Sequence, residues 1–207
     1  MRTRSAATRH KILEAATRLF LKHGYAAATV DGIALSAQVT KRTVYGYFPD
    51  KRSILAGTLE KLTGNPYEFD VPLELITSAE GLQHALMAIA RAMNDVTTQT
   101  DYVELLRVVI AELPSQPELE PLFRRGITRR SVRLLCHVLE TAQAHGLIQH
   151  RHPELVARQF VGGFLAPVFL DGLLATDADI TKLTDEQLTD YVDGFMHHLT
   201  HKPVASI

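Results

Sequence analysis

The first sixty residues are cut into short helical pieces at fixed places, and this limits what the chain can fold into. Ile12, Leu13, Ala16, Leu19 and Phe20 fall on one face of a 3.6-residue period. That spacing predicts a helix over 8–23, ended by Gly24. Thr29 is a good N-cap for the short segment VDGIALSA, whose inward residues are Ile33, Ala34 and Ala37. Thr40 then caps Lys41-Arg42-Thr43-Val44-Tyr45-Gly46-Tyr47-Phe48, with Val44 and Phe48 inward. Pro49-Asp50 stops this helix and caps a fourth, in which Ile54, Leu55, Leu59 and Leu62 share a face.

Two short helices joined by a tight turn, the second carrying exposed basic and hydroxyl residues, form a helix-turn-helix layout. Lys41 and Arg42 suit guanine O6 and N7, and the methyl and hydroxyl of Thr43 suit several bases. Gly46 lets backbone approach DNA closely, at a helix cost of about 1 kcal/mol. Tyr45 and Tyr47 suit phosphate oxygens, and Lys51 adds a cation beside a helix N-terminus that already favours anions.

The formal net charge of −1 argues against a polyanionic partner only as an average. Residues 1–62 hold 11 Lys and Arg against 4 acids, and residues 63–207 hold 11 against 19. The basic part coincides with the helix-turn-helix, as expected of a surface that meets nucleic acid.

Ile12-Leu13-Glu14-Ala15-Ala16, Leu19-Phe20, His23-Gly24-Tyr25, Thr29-Val30, Ile33-Ala34, Val39-Thr40, Thr43 through Lys51 and Leu55 agree in order and spacing with one family. Over about residues 8–62 the chain resembles the DNA-binding domain of TetR/AcrR-family transcriptional regulators. The turn departs from the family's usual Ala-Gly-Val and reads Ala37-Gln38-Val39, so Gln38 must take a conformation that glycine takes more easily. The resemblance implies phosphate contacts from Thr29, Thr40, Tyr45, Tyr47 and Lys51, and base contacts from Lys41, Arg42 and Thr43. It also implies a homodimer that reads a pseudo-palindromic double-stranded operator.

Gly64-Asn65-Pro66 breaks the fourth helix, and 64–78 read as a loop. Helices are expected over 79–98, 101–113, a long stretch to about His145, from Pro153 to about Leu174, and over 184–200, where Thr184 and Gln187 make a capping box. No period-2 alternation occurs. The expected fold is all-α, with a DNA-binding domain at 1–62 and a ligand-binding and dimerisation domain at 63–207.

The last two helices hold more apolar residues than one face needs. Val161, Phe164, Leu165, Val168 and Phe169 on the first, and Leu188, Tyr191, Val192, Phe195, Met196 and Leu199 on the second, suggest burial against another copy. The family's dimer interface agrees, and RVVIAELPSQPELEPLF and PELVARQFVGGFLAP resemble its AefR-like C-terminal branch. Regulators of this kind hold an effector among the C-terminal helices. Candidate lining residues are Met87, Met93, Tyr102, Leu106, Phe123, Ile127, His137, Phe160 and Phe164, which would suit a hydrophobic or amphipathic small molecule.

Other features carry little. His197 and His201 have the i, i+4 spacing of zinc ligands but no glutamate between them, so a solvated helix is expected and no metal. Cys136, the single cysteine, excludes an intrachain disulfide, which fits a reducing, cytoplasmic setting; it is expected to be a buried, inert thiol. MRTRSAATRHK is basic with no apolar stretch after it, so neither a secretory signal nor a membrane span is expected. No nucleophile elbow, P-loop or catalytic spacing occurs, so neither enzyme nor cofactor is expected. A helical carrier or enzyme whose basic end meets an acidic partner would also explain the apolar C-terminal helices. It gives no reason for two capped helices with Lys-Arg-Thr at the start of the second.

Overall fold

The computed structural model describes residues 2–62, 71–121, 129–149, 152–174 and 180–200. Every regular element among them is helical. They are α1 (Arg2–Ala27), α2 (Val30–Ser36), α3 (Lys41–Tyr47), α4 (Lys51–Leu62), α5 (Ala79–Thr97), α6 (Thr100–Glu112), α7 (Arg129–Ala144), α8 (Pro153–Pro167, extended by a π turn over Val168–Leu173) and α9 (Asp185–Thr200). Short 3-10 turns occupy Leu73–Leu75 and Pro117–Leu119. The all-α expectation holds for the described residues.

The chain groups into two compact units. One comprises Met1–Asn65 and Gln99–Ile127, the other Pro66–Thr98 and Thr128–Ile207.

In the first unit α1 begins at Arg2, well before residue 8. Ser5, Ala6 and Ala7 are exposed, so these turns bury no apolar stripe that could have announced them. Gly24, at φ 76° and ψ 169°, breaks the helical path as expected of a glycine at a helix end. Ile12, Leu13, Ala16 and Phe20 of α1 are buried with Ile33 and Ala34 of α2, Val44 of α3, Phe48, and Ile54, Leu55 and Leu59 of α4. Fully burying a side chain of this size stabilises by about 1.5–3 kcal/mol. Gly57 is forced by this packing: a Cβ there would sit 2.9 Å from Leu13 Cδ2 and from Phe48 Cε1. The unit also takes in α6, whose Tyr102, Val103, Leu105, Leu106 and Val109 are buried and which packs along α1. The first segment of this unit ends near the expected boundary at 62, and its second segment lies beyond it.

In the second unit α5 packs against α7, α8 and α9, and α7 packs along α8. Leu82, Leu86, Ile89, Leu135, Val138, Leu139, Phe160, Phe164, Leu188 and Val192 fill the core. Ser78 caps α5 by accepting from Gly81 N–H at 3.1 Å. Gly81 has no room for a side chain, because the Leu75 carbonyl lies where its Cβ would be. Thr184 and Gln187 form the expected capping box: Gln187 N–H donates to Thr184 Oγ1 at 3.3 Å, and Thr184 N–H to Gln187 Oε1 at 2.9 Å. Buried Asn94 grips Leu183 from both sides, donating to its carbonyl at 2.9 Å and accepting from its N–H at 3.1 Å.

Phe160 lies 4.8 Å from Phe195 and Phe164 lies 5.1 Å from Tyr191, ring centre to ring centre, so α8 and α9 run antiparallel. Gly163 lets Tyr191 lie across α8, where its hydroxyl donates to the Phe160 carbonyl at 2.6 Å. Burial pushes that phenol up to about 12. Pro167 removes an amide from the ladder, and the helix widens into the π turn just beyond it, with Leu174 N–H bonding to Phe169 C=O at 3.2 Å. Pro153–Leu173 is long and apolar enough for a membrane span by length and composition alone, at a mean hydropathy of 1.2. Its inner face, with Val156, Phe160, Val161, Phe164 and Val168, lies in the protein core, as in a core helix of a globular protein.

Candidate nucleic-acid interface

Side-chain caps define both helices of the motif. Thr29 Oγ1 accepts from Gly32 N–H at 3.0 Å and Thr40 Oγ1 from Thr43 N–H at 3.1 Å. Between them Ala37 N–H bonds to Ile33 C=O at 2.9 Å and Val39 N–H to Ala34 C=O at 3.0 Å. Closing that turn puts Gln38 at φ 55°, the left-handed conformation expected at this departure from glycine. Val44 and Phe48 anchor α3 to the core. Their burial fixes which face of α3 points outward. Lys41, Arg42, Tyr45 and Gly46 are exposed, while Thr43 and Tyr47 are half-buried. A Cβ added at Gly46 would meet nothing within 4 Å, so backbone lies open to an approaching surface there.

Several of these groups already have partners. Lys41 Nζ lies 2.9 Å from Asp31 Oδ2 on α2. The hydrogen bond to that carboxylate, and then its charge, raise the lysine pKa. The pair is exposed and easily exchanged for another acceptor. The hydroxyls of Thr40 and Thr43 share a 2.8 Å hydrogen bond. Tyr47 Oη donates to Ser5 Oγ at 3.3 Å, tying the start of α1 to the end of α3. Neither Asp31 nor Ser5 was legible as a partner, since both contacts join separate helices with no fixed sequence spacing.

Lys51, expected at a phosphate, has partners within the chain. Its Nζ donates to the carbonyls of Tyr25 at 2.8 Å, Ala26 at 3.1 Å and Ala28 at 3.1 Å, which matches its three donor hydrogens. The same nitrogen lies 4.3 Å from the centre of the Tyr25 ring. Desolvation lowers its pKa, opposed by the Glu112 carboxylate. Glu112 Oε1 in turn accepts from Ala26 N–H at 3.2 Å. Lys51 and Glu112 thus both hold the Tyr25–Ala28 segment that leads from α1 to α2.

The expected effector residues are divided between the two units. Tyr102 and Leu106 are buried in the first unit, because the apolar face of α6 packs on α1. Met93, Phe160 and Phe164 belong to the core of the second unit, Met87 is half-buried against it, and His137 is exposed on α7. Phe123 and Ile127 lie outside the described residues. A concavity of about 540 Å³ is lined by Gln159, Asp190, Tyr191, Gly194, Phe195 and His198, none of them in that set.

The expected dimer residues divide in two. Val161, Phe164, Val168, Leu188, Val192 and Leu199 are buried in their own core, whereas Leu165, Tyr191, Phe195 and Met196 are half-buried and Phe169 is exposed. The apolar surplus was real but was counted over both faces. What remains outward also includes Leu155, Leu170 and Leu174. Cys136 is half-buried, less enclosed than expected, and burial raises its thiol pKa, which disfavours the reactive thiolate. No metal-binding group of three or more occurs among the described residues.

An N-terminal helix-turn-helix with an exposed basic helix start defines the class: a DNA-binding regulator of all-α architecture. Residues 12–58 match the model of bacterial regulatory proteins of the tetR family, and residues 84–200 match the AefR-like transcriptional repressor C-terminal domain. The chain belongs to the TetR family of transcriptional regulators. It is 38% identical over 85 residues to the HTH-type transcriptional regulator HbdR of Aromatoleum sp. (strain CIB), covering 41% of this chain and 35% of that protein. It is 42% identical over 55 residues to the HTH-type transcriptional repressor SCO4008 of Streptomyces coelicolor, covering 27% and 29%. These matches thus span about a third of each relative's length. Among solved structures, the Flavonoid-responsive Regulator FrrA superposes with a TM-score of 0.69 at 27% identity, over 93% of this chain and 95% of that one. A TetR regulator from Agrobacterium tumefaciens superposes with a TM-score of 0.71 at 22% identity, over 92% and 94%.

Proposed function

We propose that this regulator is a cytoplasmic repressor that binds a palindromic operator as a homodimer and is released by a hydrophobic or amphipathic small molecule. The observation that carries the reading is α3: Lys41, Arg42 and Tyr45 stand outward around an open Gly46, on a helix fixed by two buried anchors. Arg42 and Lys41 read base edges after Lys41 leaves Asp31, and Thr43 completes the readout. Thr29, Thr40, Tyr45 and Tyr47 lie at phosphates. The match to an AefR-like repressor domain favours repression over activation. The effector binds among the C-terminal helices, and the flavonoid response named for FrrA makes polyphenols a reasonable first ligand class to screen. Effector binding shifts α4 and moves the two reading helices off half-sites about 34–36 Å apart, through its higher affinity for the released state.

Operator affinity measured against salt tests the DNA claim. Log affinity falls steeply with log salt, by about 0.9 per phosphate contact; a flat dependence overturns the reading. Arg42→Ala costs about 1–3 kcal/mol on the operator and relaxes preference at one base position. Equal loss on every sequence would remove Arg42 from base reading.

A further inference from the structure

We infer that Asp31 determines specificity: with Lys41 it reads the major-groove edge of one G·C base pair in each half-site, Lys41 on the guanine and Asp31 on the cytosine. The inference rests on the proposed DNA reading and adds to it an acidic residue and the identity of a base pair. From Thr29 to Phe48, the span of the motif, Asp31 is the only acidic residue. A carboxylate on a face that approaches phosphates repels them, so its presence there calls for a compensating contact. Within the chain that contact is Lys41, whose Nζ donates to Asp31 Oδ2 at 2.9 Å, from α3 to α2. Asp31 also lies in the first turn of α2, where the helix dipole favours an acid, but that effect needs no cation on α3.

The pair faces solvent, with 67% of the Asp31 side chain and 51% of the Lys41 side chain exposed. It sits at the start of α3, the end from which a recognition helix reaches base edges. Oδ2 and Nζ therefore present an acceptor beside a donor, 2.9 Å apart. A G·C pair presents the complement in the major groove: guanine N7 and O6 accept, and cytosine N4 donates. O6 and N4 are hydrogen-bonded to each other across the base pair, so they too lie about 2.9–3.0 Å apart. Two adjacent acceptors followed by a donor occur in this order in G·C alone. An A·T pair places its amino donor between two acceptors, and C·G reverses the order. An ammonium carries three hydrogens, so Lys41 can engage the guanine before it gives up Asp31. The freed carboxylate then takes the outer amino hydrogen of the cytosine, and neither charge is left bare. A phosphate offers acceptors only, so it can replace Asp31 at Lys41 but leaves the carboxylate unpaired beside the DNA backbone.

The full-length chain tests this on a library of short duplexes with a randomised core, from which bound sequences are recovered and read. The wild type recovers G·C at one fixed position of each half-site. Asp31→Ala and Lys41→Ala each relax that same position, by about tenfold in preference. The double variant relaxes it no further, because both side chains read one base pair. Asp31→Ala also steepens the fall of log affinity with log salt on a duplex of unrelated sequence, by about 0.9 per protomer, as Lys41 turns to phosphate. Circular dichroism checks the fold, and Asp31→Asn repeats the test with the side-chain shape kept. Tighter binding of the Asp31 variants to every duplex with an unchanged recovered sequence overturns the inference and leaves Asp31 a brake on affinity. Relaxation at two different positions overturns the shared base pair. A wild-type chain that binds no duplex at low salt overturns the DNA reading itself, and this inference with it.

Discussion

Lys51 exposes the limit of reading a residue from its neighbours in sequence. Its place beside a helix start suggested an anion, and within the chain three backbone carbonyls and an aromatic ring face it. Those partners come from the end of α1 and the link that follows, and no local pattern could have named them. Lys51→Met removes charge-assisted hydrogen bonds and should lower stability by about 1–3 kcal/mol by urea unfolding. It should also weaken binding to all DNA sequences alike, since the whole reading helix shifts. A normal unfolding curve with weakened DNA binding would return Lys51 to the phosphate backbone. At Gln38 the sequence was fully informative: a departure from glycine at a tight turn forecast the positive φ that the structure has. Gln38→Gly should raise stability by up to about 1 kcal/mol, less whatever the more flexible unfolded chain takes back.

At the scale of elements, the caps were legible because each depends on one side-chain oxygen and the amides just after it. Thr29, Thr40 and Thr184 all cap where expected. Partner choice was not legible. The apolar stripe of α6 is plain in the sequence, yet nothing in it says that the stripe meets α1. The dimer residues divide between buried and outward ones for the same reason, since periodicity does not say whether an apolar residue faces its own core or another copy. Two helical glycines make a matched test of position. Gly46→Ala on α3 meets open space and should gain about 1 kcal/mol of helix stability, while operator affinity should drop because a methyl group would stand where the proposed function brings backbone to DNA. Gly57→Ala on α4 meets Leu13 and Phe48 at 2.9 Å and should lose about 1–3 kcal/mol through overpacking. Melting temperature and operator titration on the same two proteins separate the cases. Stabilisation at both positions would discredit the packing described around Gly57.

At the scale of the molecule, the charge division coincides with the helix-turn-helix but does not say which residues build the compact unit around it. The compact N-terminal unit takes in Gln99–Ile127, and with it the buried Tyr102, Leu105 and Leu106. A fragment of residues 1–62 therefore leaves the α6-facing surface of α1 bare. It should be partly unfolded or aggregating in solution, with DNA binding that is weak and unspecific; a cooperatively melting monomer would show that α6 is dispensable. The same discontinuity bears on how the protein is made. The helix that packs on α1 is separated from the helix-turn-helix in sequence by α5, an element of the other unit. The first unit cannot close until α6 has been made. Its completion waits on residues beyond 112, so a nascent chain carries an uncovered apolar face on α1 until then, and a chain stalled before that point should draw chaperones rather than operator DNA.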